Sequence, residues 1–213
     1  WMHNGYINVD NKKMSKSLNN FFTVRDVAKE FGYEPIRFFL ISSSYRSPIN
    51  YNTEIIQQGI GALDRLYNCR NAMDFALKSA PVGEADAAFV QKVKARRAQF
   101  IAAMDDDLNT ADGIAALFEL VKDINLLLAD GTPAQATILA GKQLFDELTD
   151  VLGFCYERQT AGEDDREIEE LIAARAAARQ QKNWAEADRI RDELKARNIV
   201  LEDTPQGVKW HRA

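Results

Sequence analysis

Four amphipathic stretches between residues 52 and 152 constrain the fold of this chain more than any other feature. Their apolar residues recur every three or four positions, which is the period of an α-helix. The four apolar stripes are Ile56, Ile60, Leu63 and Tyr67; Val93, Phe100, Met104 and Leu108; Ile114, Leu117, Val121, Ile124 and Leu128; and Ile138, Phe145, Leu148 and Leu152. Thr132 and Pro133 predict the start of the fourth helix. Because such helices cannot bury their apolar sides alone, the stripes predict the core of an antiparallel helix bundle.

The segment before the bundle predicts short elements. Residues 6–9 alternate like a strand, and residues 10–13 carry turn-forming side chains. Thr23 and Asp26 predict a capping box that opens a short helix, and a further helix is predicted over 36–43.

The last part predicts a small unit of its own. Residues 162–165 are typical of a linker, and an Ala- and Arg-rich helix is predicted over 166–181. Asn183, with Glu186 three residues later, is predicted to cap a second helix. Residues 199–210 predict a two-stranded hairpin.

The predicted fold class is therefore mainly α, in three parts. Residues 1–50 form a connecting segment with short strands, and residues 51–160 form the helix bundle. Residues 165–213 form a small α+β domain of two helices plus a hairpin. The chain opens at Trp1 inside a predicted strand, so we expect it to be the C-terminal part of a longer protein.

Composition argues against several classes of protein. No stretch approaches the roughly 20 apolar residues that a membrane-spanning helix needs. Cys69 and Cys155 lie far apart and form no Cys-x-x-Cys pair, which argues against a disulfide scaffold or a structural zinc site and fits a reducing cytosol. His3 has no second ligand nearby in the sequence, and His211, beside Trp210, is interpreted as a surface residue, so we predict no metal site within the chain.

The net charge of −5 is unevenly distributed. Residues 1–50 carry 7 basic and 4 acidic side chains, residues 51–164 carry 10 and 18, and residues 165–213 carry 10 and 10. A polyanion would be repelled by residues 51–164 and would bind more readily to residues 1–50 and 165–213. An uneven scatter of ordinary surface charges explains the same counts equally well.

The run with the clearest chemistry is Lys13-Met14-Ser15-Lys16-Ser17. Two ammonium groups three residues apart, flanked by hydroxyl groups in a loop, can bind a polyphosphate. A flexible cationic loop can also stabilise the charge that accumulates on a leaving pyrophosphate in a transition state. A solvated basic loop is the simpler interpretation, and the spacing alone favours it.

The same string is identical to the KMSKS signature of class I aminoacyl-tRNA synthetases. Five further sequence motifs narrow the resemblance to one family within this class. They are WMHNG at 1–5, SLNNFF at 17–22, YRSPINY at 45–51, DDDLNT at 105–110 and LEDTPQG at 201–207. Together they make the chain resemble the cysteinyl-tRNA synthetases over essentially its whole length. Asn19 and Ala111 depart from the family, which usually has Gly and Pro at these two positions.

The resemblance implies part of an enzyme that uses ATP, with magnesium, to convert cysteine to cysteinyl-adenylate and then transfers the cysteinyl group to the 3′ end of cysteine tRNA. It implies Lys16 as the principal catalytic contact to the phosphates and Lys13 as a helper, with Met14, Ser15 and Ser17 as further ATP-binding residues. The zinc of the family would be bound upstream of this chain, which alone would be inactive. The implied full-length enzyme is a cytoplasmic monomer.

The last part carries side chains suited to single-stranded RNA. Trp184 can present its ring to a base, although its spacing from Ala187 and Leu194 also fits the core of a small domain. Arg175, Arg179 and Lys182 are predicted to share one side of a helix that is available to phosphates. Asp203, in the predicted hairpin turn, can accept from a cytosine amino group. Arg46, near the loop, is a further candidate for tRNA contact.

For this last part the resemblance implies recognition of the tRNA anticodon. The implied tRNA-binding residues are Arg179, Trp184, Asp203, Trp210, Asp188, Arg191 and Gln206. Two other functions stay open. A stand-alone RNA-binding module would have no catalytic parent. A cysteine ligase that acts on an amino-sugar acceptor would share the KMSKS loop but lack an anticodon unit, so residues 165–213 argue against it.

Overall fold

The computed structural model describes residues 1–18, 20–156, 163–181, 183–197, 199–204 and 207–212. The predicted fold class, mainly α with short strands, is confirmed. The chain divides into two compact units, Trp1–Tyr156 and Glu157–Ala213, and each has its own apolar core. The division into three parts stays a prediction.

Three short strands of the first unit form one small sheet. β1 (Ile7–Val9) lies in the middle, antiparallel to β2 (Lys12–Lys13) and parallel to β3 (Ile49–Tyr51). Asp10 and Asn11 connect β1 to β2 with φ angles of 48° and 62°, as a tight two-residue hairpin turn requires. The predicted strand and turn are therefore confirmed, and the turn leads directly into β2.

Two helices, α1 (Val24–Phe31) and α2 (Tyr33–Ile41), follow this hairpin. The predicted capping box is present, because the Thr23 hydroxyl accepts the Asp26 N–H and the Asp26 carboxylate accepts the Thr23 N–H. Gly32 separates the helices at a φ of 78°, where a residue with a Cβ would be strained. The turn at this glycine makes α2 begin earlier than predicted.

The bundle consists of α3 (Thr53–Leu77), α4 (Ala87–Asp105), α5 (Thr110–Ala129) and α6 (Gln135–Leu152). Most residues of the four predicted stripes are in its core. The fully buried side chains at the centre include Leu66, Met73, Leu117, Leu120, Phe145 and Leu148. Burial of this apolar surface is what holds helices of this length together.

Two details of the predicted bundle are wrong. α6 begins at Gln135 rather than behind a Thr132 cap, because the Gln135 N–H donates to the Pro81 carbonyl (2.9 Å) of the preceding segment. Leu108 is not a core residue of α4; it lies beyond the helix, is 47% exposed and has a φ of 54°. The chain turns at this point so that the Asn109 side chain can cap α5.

A buried carboxylate fixes the end of the first unit. Glu34 of α2 is 8% exposed, and its two oxygens accept hydrogen bonds from the Tyr67 hydroxyl (2.8 Å) and the main-chain N–H of Cys155. Arg70 of α3 donates to the Cys155 carbonyl (2.8 Å). Both backbone polar groups of Cys155 are thus satisfied, and the segment after α6 is held against α2 and α3.

The second unit contains α7 (Glu163–Gln180), α8 (Trp184–Ala196) and a hairpin of β4 (Ile199–Thr204) and β5 (Gly207–Arg212). Its core is built from Ile168, Ile190, Leu194 and Ile199. As predicted, the Asn183 side chain caps α8 by accepting the Glu186 N–H (3.3 Å).

Two boundaries in this unit differ from the predictions. α7 begins at Glu163, so residues 163–165 belong to a helix and not to a linker, while Gly162 lies outside the described residues. Asp203 lies within β4, paired with Val208, rather than in the hairpin turn. Local turn chemistry does not reveal how far the ladder of strand hydrogen bonds extends toward a turn.

The two cysteines are free thiols buried in the first unit. Burial raises the pKa of both Cys69 and Cys155 to about 12, so neither is a nucleophile near neutral pH. Among the described helices, none has the length and apolar character to cross a membrane.

Candidate functional sites

The KMSKS loop follows β2 and exposes both of its lysines. Lys13 is the last residue of β2, and Lys16 opens a single 3₁₀ turn that ends at Leu18. The hydroxyl of Ser15 accepts the Leu18 N–H (3.2 Å) and lies 3.1 Å from the hydroxyl oxygen of Ser17. The two serines therefore shape the turn that presents Lys16, and their contact with ATP stays a prediction.

Asn20 closes the loop with its side-chain amide. Its Oδ1 accepts the Ser15 N–H (2.8 Å), and its Nδ2 donates to the Lys13 carbonyl (3.2 Å). Residues 13 and 20 are thereby joined, with both lysines on the enclosed segment. Sequence reasoning missed Asn20, although an Asn shortly after a Lys- and Ser-rich turn is a residue type that often hydrogen-bonds to nearby backbone.

An aromatic ring lies under the principal lysine. The Lys16 ammonium is 5.5 Å from the centre of the Phe21 ring, which is itself 51% exposed. A cation over a ring face gains roughly 0.5–1 kcal/mol at an exposed site, far less than an ammonium gains from a phosphate dianion. Lys16 is therefore held loosely and is accessible to an anionic ligand.

The base of the loop rests on an aromatic cluster. The Tyr51 ring of β3 lies between Phe22 (4.7 Å between ring centres) and Phe39 of α2 (6.0 Å). Burial raises the pKa of the Tyr51 hydroxyl. The chain on both sides of the KMSKS loop is thus anchored to the sheet and to α2.

Two of the family's sequence motifs, at 45–51 and 105–110, contact each other in the first unit. The Tyr45 hydroxyl donates to Asp107 Oδ1 (2.9 Å), and the Arg46 guanidinium pairs with Asp107 Oδ2 (2.9 Å). Hydrogen bonding to Tyr45, with the charge of Asp107, raises the pKa of Arg46. The side chain predicted as a tRNA contact thus has a partner within the unit, and its contact with tRNA stays a prediction.

In the second unit, Trp184 is at the surface. It is the first residue of α8 and is 59% exposed, whereas Ala187 and Leu194 are buried. The interpretation of Trp184 as part of the core is therefore wrong, and its ring is available for stacking on a base.

Three further residues share one exposed flank of α8 with Trp184. They are Asp188, Arg191 and Lys195, which follow Trp184 at spacings of three or four residues. We call these four residues the indole flank; Lys195 was missed, although the same spacing is visible in the sequence.

The opposite flank of α8 is occupied by ion pairs. Arg189 pairs with Glu186 (2.7 Å) and Glu193 (3.1 Å), and Arg197 pairs with Glu193 (2.9 Å) and with Glu167 of α7 (3.2 Å). Hydrogen bonding to Glu186 raises the pKa of Arg189. Because these arginines are already matched by carboxylates, this flank offers an anion little net positive charge.

The other residues predicted to bind RNA differ in how exposed their side chains are. Arg175 is only 9% exposed, so the prediction that it faces phosphates is wrong; its side of α7 is covered by the unit's own core. Arg179 is exposed. Arg191 pairs with Asp188 (3.4 Å), which joins two of the predicted residues to each other. Trp210 packs against the core and is half-buried.

Three predictions fall where the structure is not described. Lys182 and Gln206 lie outside the described residues, and the Asp203 side chain is likewise not described. Within the described ranges, no cluster of three or more His, Cys, Asp or Glu side chains has the arrangement of a metal site.

Comparison with known families and proteins gives a consistent result. A family model described as "tRNA synthetases class I (C) catalytic domain" matches residues 1–61, a DALR domain matches 99–157, and a "Cysteinyl-tRNA ligase anticodon binding domain" matches 157–210. Cysteine–tRNA ligases of Bacillus licheniformis (46% identical) and Symbiobacterium thermophilum (45%) align with all of this chain.

The chain belongs to the cysteinyl-tRNA synthetase family.

The chain spans about 45% of the length of these relatives and aligns with their C-terminal part. The KMSKS loop falls within the segment that matches a class I catalytic domain, and the indole flank falls within the segment that matches an anticodon-binding domain. A crystal structure of a ternary complex of Agrobacterium radiobacter K84 agnB2 LeuRS with tRNA and LeuAMS is similar over 70% of this chain and 22% of its own (TM-score 0.53, 20% identity). That likeness concerns the fold alone.

Proposed function

We propose that this chain is the part of a cysteine–tRNA ligase that supplies the KMSKS loop for activation of cysteine and the surface that reads the anticodon. The observation that carries the first half is the exposure of Lys13 and Lys16 on one hydrogen-bonded loop. The observation that supports the second is the exposed indole of Trp184 on a flank separate from the ion pairs of Arg189 and Arg197.

In the first step, the cysteine carboxylate attacks the α-phosphorus of ATP, an adenylate forms and pyrophosphate leaves. Negative charge grows on the leaving oxygens, where the ammonium groups of Lys16 and Lys13 act as donors that are matched to the transition state. The Ser15 and Ser17 hydroxyls hold the turn, and half-buried Met14 is the remaining residue of the loop that we assign to ATP binding. In the second step a ribose hydroxyl at the 3′ end of cysteine tRNA attacks the cysteinyl carbonyl, an ester forms and AMP leaves.

Magnesium and zinc are expected in the full-length enzyme. Magnesium would accompany ATP and share the neutralisation of phosphate charge with the two lysines. We assign no residue of this chain to zinc, and propose that any zinc of the full-length enzyme is held by its other part. The chain alone is expected to be inactive, and the enzyme to be a cytoplasmic monomer.

In the second unit we assign anticodon recognition to the indole flank together with Arg179, Trp210, Asp203 and Gln206. The Trp184 ring offers a stacking platform, and Asp188 and Arg191 offer an acceptor and donors for base edges. The Asp188–Arg191 pair is exposed and therefore weak, so a base can exchange for either partner at little cost.

Replacing Trp184 by Ala tests this assignment. Loss of one stacking platform is expected to weaken binding of cysteine tRNA by roughly 5- to 100-fold in the full-length enzyme. ATP–pyrophosphate exchange should be unchanged, because α8 is not part of the KMSKS loop. Binding is measured by titration at a fixed salt concentration.

Arg189→Ala is the matched control, since it removes a cation from the opposite flank of the same helix. Its binding should stay within about twofold of wild type, because Arg189 is already paired with Glu186 and Glu193. A tRNA with an altered anticodon provides the second comparison. If the wild-type enzyme binds both tRNAs equally, or if Trp184→Ala and Arg189→Ala behave alike, the assignment is wrong.

Of the two alternative functions, the amino-sugar ligase is disfavoured by the match of residues 157–210 to an anticodon-binding domain. A stand-alone RNA-binding module is disfavoured by the match of residues 1–61 to a catalytic domain. Neither alternative would charge cysteine tRNA, so charging by the full-length protein that is lost in Lys16→Ala would exclude both.

A further inference from the structure

We infer that Asn20 is the positioning residue of the KMSKS loop: its amide holds the backbone of Lys13 and Ser15 so that Lys16 meets the leaving phosphates. This inference rests on the proposed function of the loop. Asn20 itself need not touch ATP, and it lies at the loop's second end, seven residues after Lys13. Its two hydrogen bonds are the observation from which the inference starts.

The geometry of β2 explains why the Lys13 carbonyl is available. Val9 and Lys12 flank the two-residue turn, so they form the hydrogen-bonded pair of the hairpin, and the next pair, Asn8 and Lys13, is not hydrogen-bonded across the ladder. The polar backbone groups of Lys13 therefore point away from β1. Without Asn20, this edge of β2 would end in unpaired backbone groups.

Asn20 supplies the missing partner with one side chain. In a parallel ladder, a residue donates its N–H to the carbonyl of residue i and accepts the N–H of residue i+2. Nδ2 and Oδ1 of Asn20 make this pair of contacts with Lys13 (3.2 Å) and Ser15 (2.8 Å). The amide thus imitates a neighbouring strand and keeps Lys13, Met14 and Ser15 extended.

The extended segment in turn determines where Lys16 starts. Ser15 is both the residue held by Asn20 and the residue whose hydroxyl and carbonyl accept the Leu18 N–H. A displaced Ser15 would shift the whole 3₁₀ turn. Because a displacement of about 1 Å at a catalytic group can cost 100-fold in rate, holding Ser15 is a means of setting the position of the ammonium.

Asn20→Ala in the full-length enzyme tests the inference. Loss of both hydrogen bonds is expected to lower kcat of ATP–pyrophosphate exchange by about 10- to 100-fold, with the KM for cysteine unchanged. The Ser15 amide should also lose its protection from hydrogen exchange. Asn50→Ala is the matched control, because Asn50 likewise uses its side chain to accept a backbone N–H, that of Asn11 (2.7 Å), but at the hairpin turn. Its effect on kcat should be no more than about threefold.

The double variant Lys16→Ala/Asn20→Ala separates positioning from general structural support. If Asn20 acts through Lys16, the double variant should be no slower than Lys16→Ala alone. If the two losses multiply, or if Asn20→Ala leaves kcat unchanged while Lys16→Ala lowers it, the inference is wrong and the proposed function stands. If Lys16→Ala itself leaves exchange unchanged, the proposed function of the loop fails.

Discussion

Lys16→Ala is expected to slow ATP–pyrophosphate exchange by the full-length enzyme by roughly 100- to 1,000-fold, the usual cost of losing one donor that acts on transition-state charge. The ammonium is exposed and opens the 3₁₀ turn of the KMSKS loop, where the Phe21 ring lies under it. Its cation–π contact is weak, so removal of the charge should cost little stability. The loss should appear in kcat, with cysteine binding nearly unchanged.

Variants of two neighbouring lysines serve as controls for Lys16→Ala. Lys12 is exposed on β2, so Lys12→Ala removes the same charge close by, and its rate should stay within about threefold of wild type. Lys13→Ala should be intermediate, as expected of a helper. Exchange at a normal rate by Lys16→Ala would contradict the proposed function of the loop. Equal losses for Lys12→Ala and Lys16→Ala would mean that the loop contributes only general positive charge.

Glu34→Ala is expected to destabilise the first unit by about 3–5 kcal/mol, since hydrogen bonds to a charged group contribute about 1.5–3 kcal/mol each and two are lost. The substitution removes the carboxylate that accepts hydrogen bonds from the Tyr67 hydroxyl and from the buried Cys155 N–H. It also leaves a cavity where the side chain was. The free energy of unfolding is measured by urea titration, followed by circular dichroism.

Glu34→Gln is the matched variant, because its amide oxygen can still accept the Cys155 N–H while its nitrogen donates to the Tyr67 oxygen. We expect a loss of about 1.5 kcal/mol or less for it. Glu30→Ala removes an exposed carboxylate of α1 and should change stability by no more than about 0.5 kcal/mol. The result is contradicted if Glu34→Ala and Glu30→Ala unfold at the same urea concentration.

Local patterns predicted the elements that depend on local chemistry. The apolar periods located α3 to α6, and the Thr23 and Asn183 caps were both found as predicted. A helical period and a capping box each involve residues only three or four positions apart, so the stabilising contact is already present in a short window. The same holds for the Asp10-Asn11 turn.

The wrong predictions share a different cause. Thr132 was expected as a cap, but the Pro81 carbonyl, far away in the sequence, determines where α6 begins. Arg175 has the spacing of a phosphate-binding side chain, yet it lies on the side of α7 that the unit's core covers. In each case a contact between distant segments overrides the local preference.

The candidate sites divide in the same way. The five residues of the KMSKS loop were recognisable in the sequence through their resemblance to the signature of class I aminoacyl-tRNA synthetases, since their spacing alone favoured an ordinary basic loop. Asn20 was not, because its importance lies in two hydrogen bonds to backbone groups whose direction is set by the pairing of β2 with β1.

The order of the residues alone determined that the chain is mainly α, that it carries a KMSKS loop and that Trp184 begins a capped helix. Only the tertiary structure decided that this indole is exposed, that one flank of α8 is filled by ion pairs with Arg189 and Arg197, and that Glu34 holds the end of the first unit. The physical reason is that periodicity and caps arise between near neighbours, whereas exposure, ion pairing and burial depend on which distant surfaces come together.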